Sequence, residues 1–332
     1  MITSAAESGF DPRPALLRVL LACLPGALAL LWFNGWGVLI QLLLACLTCC
    51  TCDWLVRRLR HQPAPTCNLL EQRWLAEGSG LVSAVLLALA LPSYAPWWLT
   101  VASAAFASLF GKAIFGGFGR NPFNPAMLGY AFALIAFPAQ MTQWPAPGAS
   151  HDLLAALNQV FAFGSSLPDG WSQATVLDTL RHNDRLTLDE LFASHPAFGG
   201  VGGRGAEWVN LAFLAGGAFL LQQRVIRWQA PAGMLGALFV ISLLCWNGSG
   251  SDSNGSPLLH LFSGATMLGA FFIASEPISG ASTPRGQLYF GIGVGLLTYL
   301  IRTWGGYPDG IAFAVLLMNL CVTRLDRLEA GR

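Results

Sequence analysis

The residue of this chain best suited to covalent chemistry is a threonine in a polar stretch. Thr175 closes the run Asp169-Gly170-Trp171-Ser172-Gln173-Ala174-Thr175, and its hydroxyl oxygen can accept a phosphoryl group. The Asp169-Gly170 pair predicts a turn that would expose it. By residue types alone the run also reads as an ordinary surface turn, because Ser-x-Ala-Thr is short enough to arise by chance. Similar letters recur at Ser263-Gly264-Ala265-Thr266, with Leu261 and Phe262 before them and the apolar run Met267 to Ile273 after them. A modifying enzyme needs an exposed hydroxyl, whereas a threonine within a membrane helix hydrogen-bonds to its neighbours. Loop placement therefore selects Thr175 over Thr266.

Other chemistry-bearing residues form a thinner set. Glu276, Arg302 and Asp309 lie beside apolar segments, where an ionisable group is a candidate for function. The alternative is that they reach the interface from helix ends, or pair with one another. Cys46, Cys49, Cys50 and Cys52 are clustered, but no second cysteine pair completes a four-thiolate cage, so packing is the expected role. Disulfides are not expected near a cytoplasmic membrane face. His61, His151, His182, His195 and His260 are scattered without metal-ligand spacing, so no metal site is expected.

The elements that must position these residues are membrane helices. Of 332 residues, 54% are hydrophobic and only 11% charged, with a mean hydropathy of +0.55. A soluble domain carries roughly 25% charged residues, so much of the apolar excess must face lipid. Lys and Arg (18) nearly balance Asp and Glu (17), which leaves no case for nucleic acid or an acidic partner surface. Met1 to Pro14 is polar, and the following apolar run has no small-residue cleavage site, so a signal peptide is not expected.

A bilayer core needs about 20 apolar residues per helix. That ruler gives spans near 15–33, 36–55, 78–92, 95–114, 125–143, 207–223, 230–246, 257–274, 286–302 and 308–323. With the N-terminus in the cytoplasm, fourteen basic residues fall inside: Arg13, Arg18, Arg57, Arg58, Arg60, Arg73, Lys112, Arg120, Arg224, Arg227, Arg285, Arg324, Arg327 and Arg332. Four fall outside: Arg181, Arg185, Arg204 and Arg302. This asymmetry obeys the positive-inside rule. It places both termini in the cytoplasm and the polar stretch 144–206 on the outer face, where a loop of that length is usually functional.

The halves on either side of that loop resemble each other. Phe115-Gly116-Gly117, then Asn121-Pro122, then an apolar run recurs as Trp304-Gly305-Gly306, then Tyr307-Pro308, then an apolar run. A basic residue precedes each glycine pair, Lys112 in one half and Arg302 in the other. Ser79-Gly80 running to Pro92 recurs loosely as Ser263-Gly264 running to Pro277. An odd number of spans per half requires opposite orientations. The expected fold is therefore an all-α polytopic membrane protein of about ten transmembrane helices in two inverted five-helix repeats, 1–143 and 207–332. Inverted repeats place a site at their interface, lined by interrupted helices. The expected interruptions are Asn121–Pro125 and Gly305–Gly310, whose freed backbone groups only protein or a cavity can satisfy.

Four stretches together carry a family resemblance: Leu31 to Gly37, Asn121 to Ala126, Ser263 to Phe272 and Gly305 to Gly310. Over nearly its whole length the chain resembles the NqrB/RnfD family, its RnfD branch most of all. The resemblance implies FMN joined through its phosphate to Thr175, with Asp169, Gly170, Ser172 and Ala174 as the attachment motif. It further implies electron transfer coupled to cation movement across a bacterial inner membrane, as one subunit of a redox-driven translocase with no complete active site of its own. Implied partners are the other subunits of an Rnf complex, including a second membrane-anchored flavoprotein, and a flavin transferase during maturation. A second, non-covalent flavin is allowed. Asn121, Asn124, Glu276 and Asp309 are the candidates for an ion path or internal flavin site. The chain departs from the family pattern at Val176, where proline is usual, and at Glu276, where aspartate is usual. No nucleotide fingerprint is present, so NADH oxidation falls to another subunit. Alternatives are the B subunit of a sodium-pumping NADH:quinone reductase, which has a longer region before its first span, and a transporter or channel without redox role.

Overall fold

The computed structural model describes residues 13–60, 78–117, 119–147, 152–162, 170–183, 185–251, 253–307 and 309–330. Asp169 and Pro308 lie outside the described residues, as do Arg73 and Arg332 of the charge count.

The chain is predominantly helical. Among the described residues two helices are long and apolar enough to cross a membrane, α1 (Arg13–Asn34, apolar from Pro14) and α2 (Gly37–Leu59). Leu17, Leu21, Leu24, Leu28 and Trp32 recur every three or four residues along α1, and all are exposed, Trp32 by 82%. Leu39, Leu43, Leu47 and Trp54 make a similar exposed row on α2. Helices whose large apolar side chains point outward, away from a core of small residues, are built for lipid.

Shorter helices follow: α3 (Gly78–Ala90), α4 (Trp97–Ser108) and α5 (Pro125–Ala136). α4 runs on into a π-helical turn, Leu109–Ala113. The turn between α3 and α4 is held by buried Gln41 of α2, whose amide donates to the carbonyls of Ala95 (2.6 Å) and Ser93 (3.3 Å). The span expected at 125–143 divides at Phe137, because Pro138 disfavours helical backbone at the residue before it. The short helix α6 (Pro138–Met141) follows.

Beyond it, β1 (Trp144–Pro145) pairs antiparallel with β2 (Ser172–Gln173), and between them lies α7 (Leu153–Phe161). Two small helices follow β2: α8 (Val176–Arg181) and α9 (Leu188–Ser194). Val176, Leu177, Leu188, Leu191, Ala197, Phe198 and Leu259 form a small core of their own. The Trp171 ring meets Tyr94 edge-on at 5.6 Å and so docks this unit onto the α3–α4 turn.

The second half comprises α10 (Ala206–Gln222), α11 (Gln229–Leu244), α12 (Pro257–Phe262), α13 (Thr266–Leu268) with a π-helical turn at Gly269–Ile273, α14 (Pro284–Trp304) and α15 (Ile311–Ala330). α11 and α14 pack backbone to backbone: a side chain at Gly291 would collide with the Ala230 carbonyl. The span expected at 257–274 is interrupted at Ser263–Ala265, where Gly264 has φ +61°. Of the expected interruption Asn121–Pro125, Asn121 to Asn124 lie between helices and Pro125 opens α5; the described residues of Gly305–Gly310 also lie between helices.

Candidate functional site

Thr175 is the N-cap of α8. Its Oγ1 accepts the Asp178 N–H at 3.2 Å, while its carbonyl accepts the Thr179 N–H and hydroxyl. Among the described residues its hydroxyl proton has no acceptor. Ser172 and Ala174 are exposed, and Gly170 turns the chain at φ +85°.

Ala174 and Thr175 open on a cavity of about 200 Å³ that runs from this unit into the helices. Leu89, Met127, Tyr130, Leu134 and Phe213 supply its apolar wall, while Asn210, Ser263 and Asp309 add polar groups. Helices from both halves thus contribute to one chamber. Two polar atoms in its lining, Gln173 Nε2 and Ser263 Oγ, are buried and have no hydrogen-bond partner among the described residues. Orphaned buried polar atoms are uncommon in native structures and call for an occupant.

The Ser263–Ala265 interruption forms one wall, and its backbone is fixed by Asn210 of α10 and by Asp309 of the connection between α14 and α15, with Arg302 of α14 behind Asp309. Asn210 donates to the Gly264 carbonyl (3.0 Å) and accepts the Met267 N–H (3.0 Å). Asp309 Oδ2 accepts the Ala265 N–H at 3.1 Å, and its Oδ1 takes an ion pair from Arg302 at 3.1 Å. The Arg302 side chain is 1% exposed and also donates to the His260 carbonyl (2.8 Å) and to Thr266 Oγ1 (2.9 Å). The Thr266 hydroxyl is fully buried and donates towards the His260 and Ser263 carbonyls. It is committed to structure, in contrast to the hydroxyl of Thr175.

The first half carries a matching pair. Lys112 Nζ lies 2.9 Å from Asp53 Oδ2. A side chain at Gly80 would run into the Asp53 carboxylate with Lys112 beyond it, and one at Gly264 into Asp309 with Arg302 beyond it. Each half therefore seats a partly buried ion pair on the glycine of its Ser-Gly dipeptide.

The four ion-path candidates separate. Asp309 lines the cavity. Asn124 caps α5, accepting the Met127 N–H at 3.1 Å, and its own N–H donates to Asn319 Oδ1 at 3.1 Å. Asn319 Nδ2 donates to the Ser279 carbonyl (2.9 Å), and Ser279 N–H to Glu276 Oε2 (3.1 Å). Asn124 and Glu276 thus share a chain across the two halves, while Asn121 folds back onto the Phe123 carbonyl. Sequence reasoning missed Asn210, Gln173, Asp53 and Asn319. An amide inside an apolar run, as at Asn210 and Asn319, is the signal that was available.

The four clustered cysteines lie along α2 as free thiols, and Cys49 donates to the Ala104 carbonyl at 3.7 Å. Among the described residues no group of three or more His, Cys, Asp or Glu could hold a metal ion.

These features define a helical membrane protein with a chamber lined from both halves and, at its edge, a threonine hydroxyl whose proton has no acceptor among the described residues. The chain belongs to the NQR2, RnfD, RnfE family, whose sequence profile matches residues 6–332. It is 55% identical over 325 residues to the D subunit of the ion-translocating oxidoreductase complex of Pseudomonas aeruginosa (strain UCBPP-PA14), covering 98% of this chain and 92% of the relative. The corresponding protein of Ectopseudomonas mendocina (strain ymp) is 57% identical over 327 residues, with 98% and 92% covered. That of Aeromonas salmonicida (strain A449) is 47% identical over 339 residues, with 97% and 94% covered.

Proposed function

We propose that the chain is the D-type subunit of an ion-translocating oxidoreductase complex, carrying FMN joined by a phosphoester to Thr175. The carrying observation is the contrast between two threonines: Thr175 presents a hydroxyl at the edge of a chamber, and that of Thr266 is consumed in its wall. The residues fit a flavin, whose heteroaromatic ring suits an apolar chamber with a few polar groups. The orphaned Gln173 Nε2 and Ser263 Oγ supply a donor and a donor–acceptor there. When bound, the flavin supplies redox chemistry that no side chain of this chain provides.

The attachment chemistry asks little of the protein. Thr175 Oγ1 forms the new bond to phosphorus and loses its proton, and the leaving group departs from an activated flavin nucleotide held by a flavin transferase. The N-cap bond from Asp178 leaves the oxygen a further lone pair.

The proposal extends to architecture. Ten membrane-crossing segments in two inverted five-helix repeats, both termini cytoplasmic and 144–206 periplasmic, accommodate the basic-residue asymmetry and the matched ion pairs. Cation movement is assigned to the polar groups between the halves, with Asp309 towards one end and Asn124–Asn319–Ser279–Glu276 towards the other. The other proteins of the complex, including a second membrane-anchored flavoprotein, are the proposed electron partners.

The test is in-gel flavin fluorescence of the denatured chain, co-produced with its partner subunits and transferase, together with mass spectrometry of the peptide 169–181. An added FMN on the native peptide is expected, and an unmodified peptide would defeat the assignment.

A further inference from the structure

The phosphate that joins a flavin to Thr175 would keep one negative charge as a diester. A charge at the edge of an apolar chamber is costly unless it is paired and hydrogen-bonded. Among the described residues that line the cavity, Arg204 is the one cation, and Asp309, the one acid, is already held by Arg302 and by the backbone N–H groups of Ala265 and Ile311.

Arg204 is placed by a built platform rather than a loose loop. Phe198 and Gly203 form an antiparallel bridge, and the Arg204 N–H donates to the Ala197 carbonyl at 2.8 Å. The Glu207 carboxylate pins the hairpin by accepting the N–H groups of Val201 (2.7 Å) and Gly202 (2.8 Å). Glu207 is therefore spent on backbone, and among the described residues the Arg204 guanidinium has no carboxylate within ion-pair distance. The hairpin backs onto the attachment segment: a side chain at Gly203 would touch Val176, the residue after Thr175. On the other side of Thr175, the Gln173 amide donor is buried in the cavity lining and has no partner among the described residues.

We propose that Arg204 and Gln173 are positioning residues of the attachment site, donating from either side to the phosphate that ties the flavin to Thr175. The inference rests on the Thr175 reading above. Arg supplies a planar fork matched to phosphate oxygens, and Gln173 adds a neutral N–H donor. Together they hold the linkage at the chamber's edge and leave the ring to enter it.

The experiment compares wild type, R204K, R204M, Q173E and T175A in the whole complex, co-produced with the flavin transferase. Covalent flavin per chain is read by in-gel fluorescence under limiting transferase. Shielding of the attached flavin is read by acrylamide quenching in the native complex. R204K, which keeps the charge but loses the fork, is expected to fall between wild type and R204M. R204M and Q173E are expected to lose about tenfold in attachment, the scale of one charge-assisted hydrogen bond, or, where flavin is attached, to become several-fold more quenchable. R204K and R204M behaving alike in both readouts overturns the role of Arg204, and Q173E behaving as wild type overturns that of Gln173. Either result leaves the attachment reading standing if the wild-type peptide carries FMN at Thr175. Flavin retained in T175A instead removes that reading and the inference with it.

Discussion

At the scale of single residues, the two threonines make opposite demands on a test. Thr175→Ala should abolish covalent flavin, while Thr175→Ser should retain some, because a hydroxyl remains at the same N-cap. Its loop placement makes a large stability loss unexpected, since such substitutions usually cost within about 0.5 kcal/mol. Thr266→Ala should keep the flavin. It also deprives buried Arg302 of an acceptor, so a loss of about 1–3 kcal/mol is expected, visible as a lower unfolding temperature in detergent. Flavin lost from Thr266→Ala but kept in Thr175→Ala would move the attachment to the chamber wall. The apolar neighbours of Thr266 already argue against it, and the structure adds a reason invisible in them: its oxygen lies between the His260 carbonyl and the Arg302 guanidinium, 36 residues away in sequence.

At the scale of elements, packing and capping carry distinct expectations. Gly291→Ala forces a methyl into the Ala230 carbonyl and should separate α11 from α14, with an overpacking cost of about 1–3 kcal/mol read by thermal unfolding. Full stability in that variant would contradict the backbone contact. On α9, the Thr187 N–H and hydroxyl both donate to Glu190 and hold its carboxyl below the ordinary glutamate range. A depressed folded value means that the carboxylate stabilises the cap above the unfolded pKa. That contribution is lost as pH falls through the depressed folded value. Hydrogen exchange of the α9 amides should therefore accelerate on acidification relative to neighbouring segments, and Glu190→Gln should remove the pH dependence. Exchange that stays pH-matched to those segments in the wild-type chain would rule the capping role out. The elements themselves were legible to different degrees. The long apolar runs of α1 and α2 identify themselves by composition. The break at Ser263–Ala265 does not, because its letters sit in an apolar run and its loop shape is imposed by Asn210, Asp309 and Arg302, all distant in sequence.

At the scale of the whole molecule, the charge asymmetry predicts a topology. Reporter fusions after Gly148 and after Arg332 should report opposite sides of the membrane, and agreement between them would sink the ten-segment arrangement. Composition, the spacing of apolar runs and the distribution of eighteen basic residues determined on their own that the chain belongs in a membrane, and which stretch should be the large polar loop. These are properties that add along the chain, since lipid transfer and the positive-inside bias act on segments without regard to their partners. Only the tertiary structure showed what occupies the Thr266 hydroxyl, the carbonyls of His260 and Ser263 and the Arg302 guanidinium. It also paired Lys112 with Asp53 at 59 residues' separation, joined Asn124 to Glu276 through Asn319, and brought Thr175 and Asp309 to one chamber. The reason is physical: a buried polar group must find a partner, and in a helical bundle that partner is set by which helices pack together, information that no local pattern of residues contains.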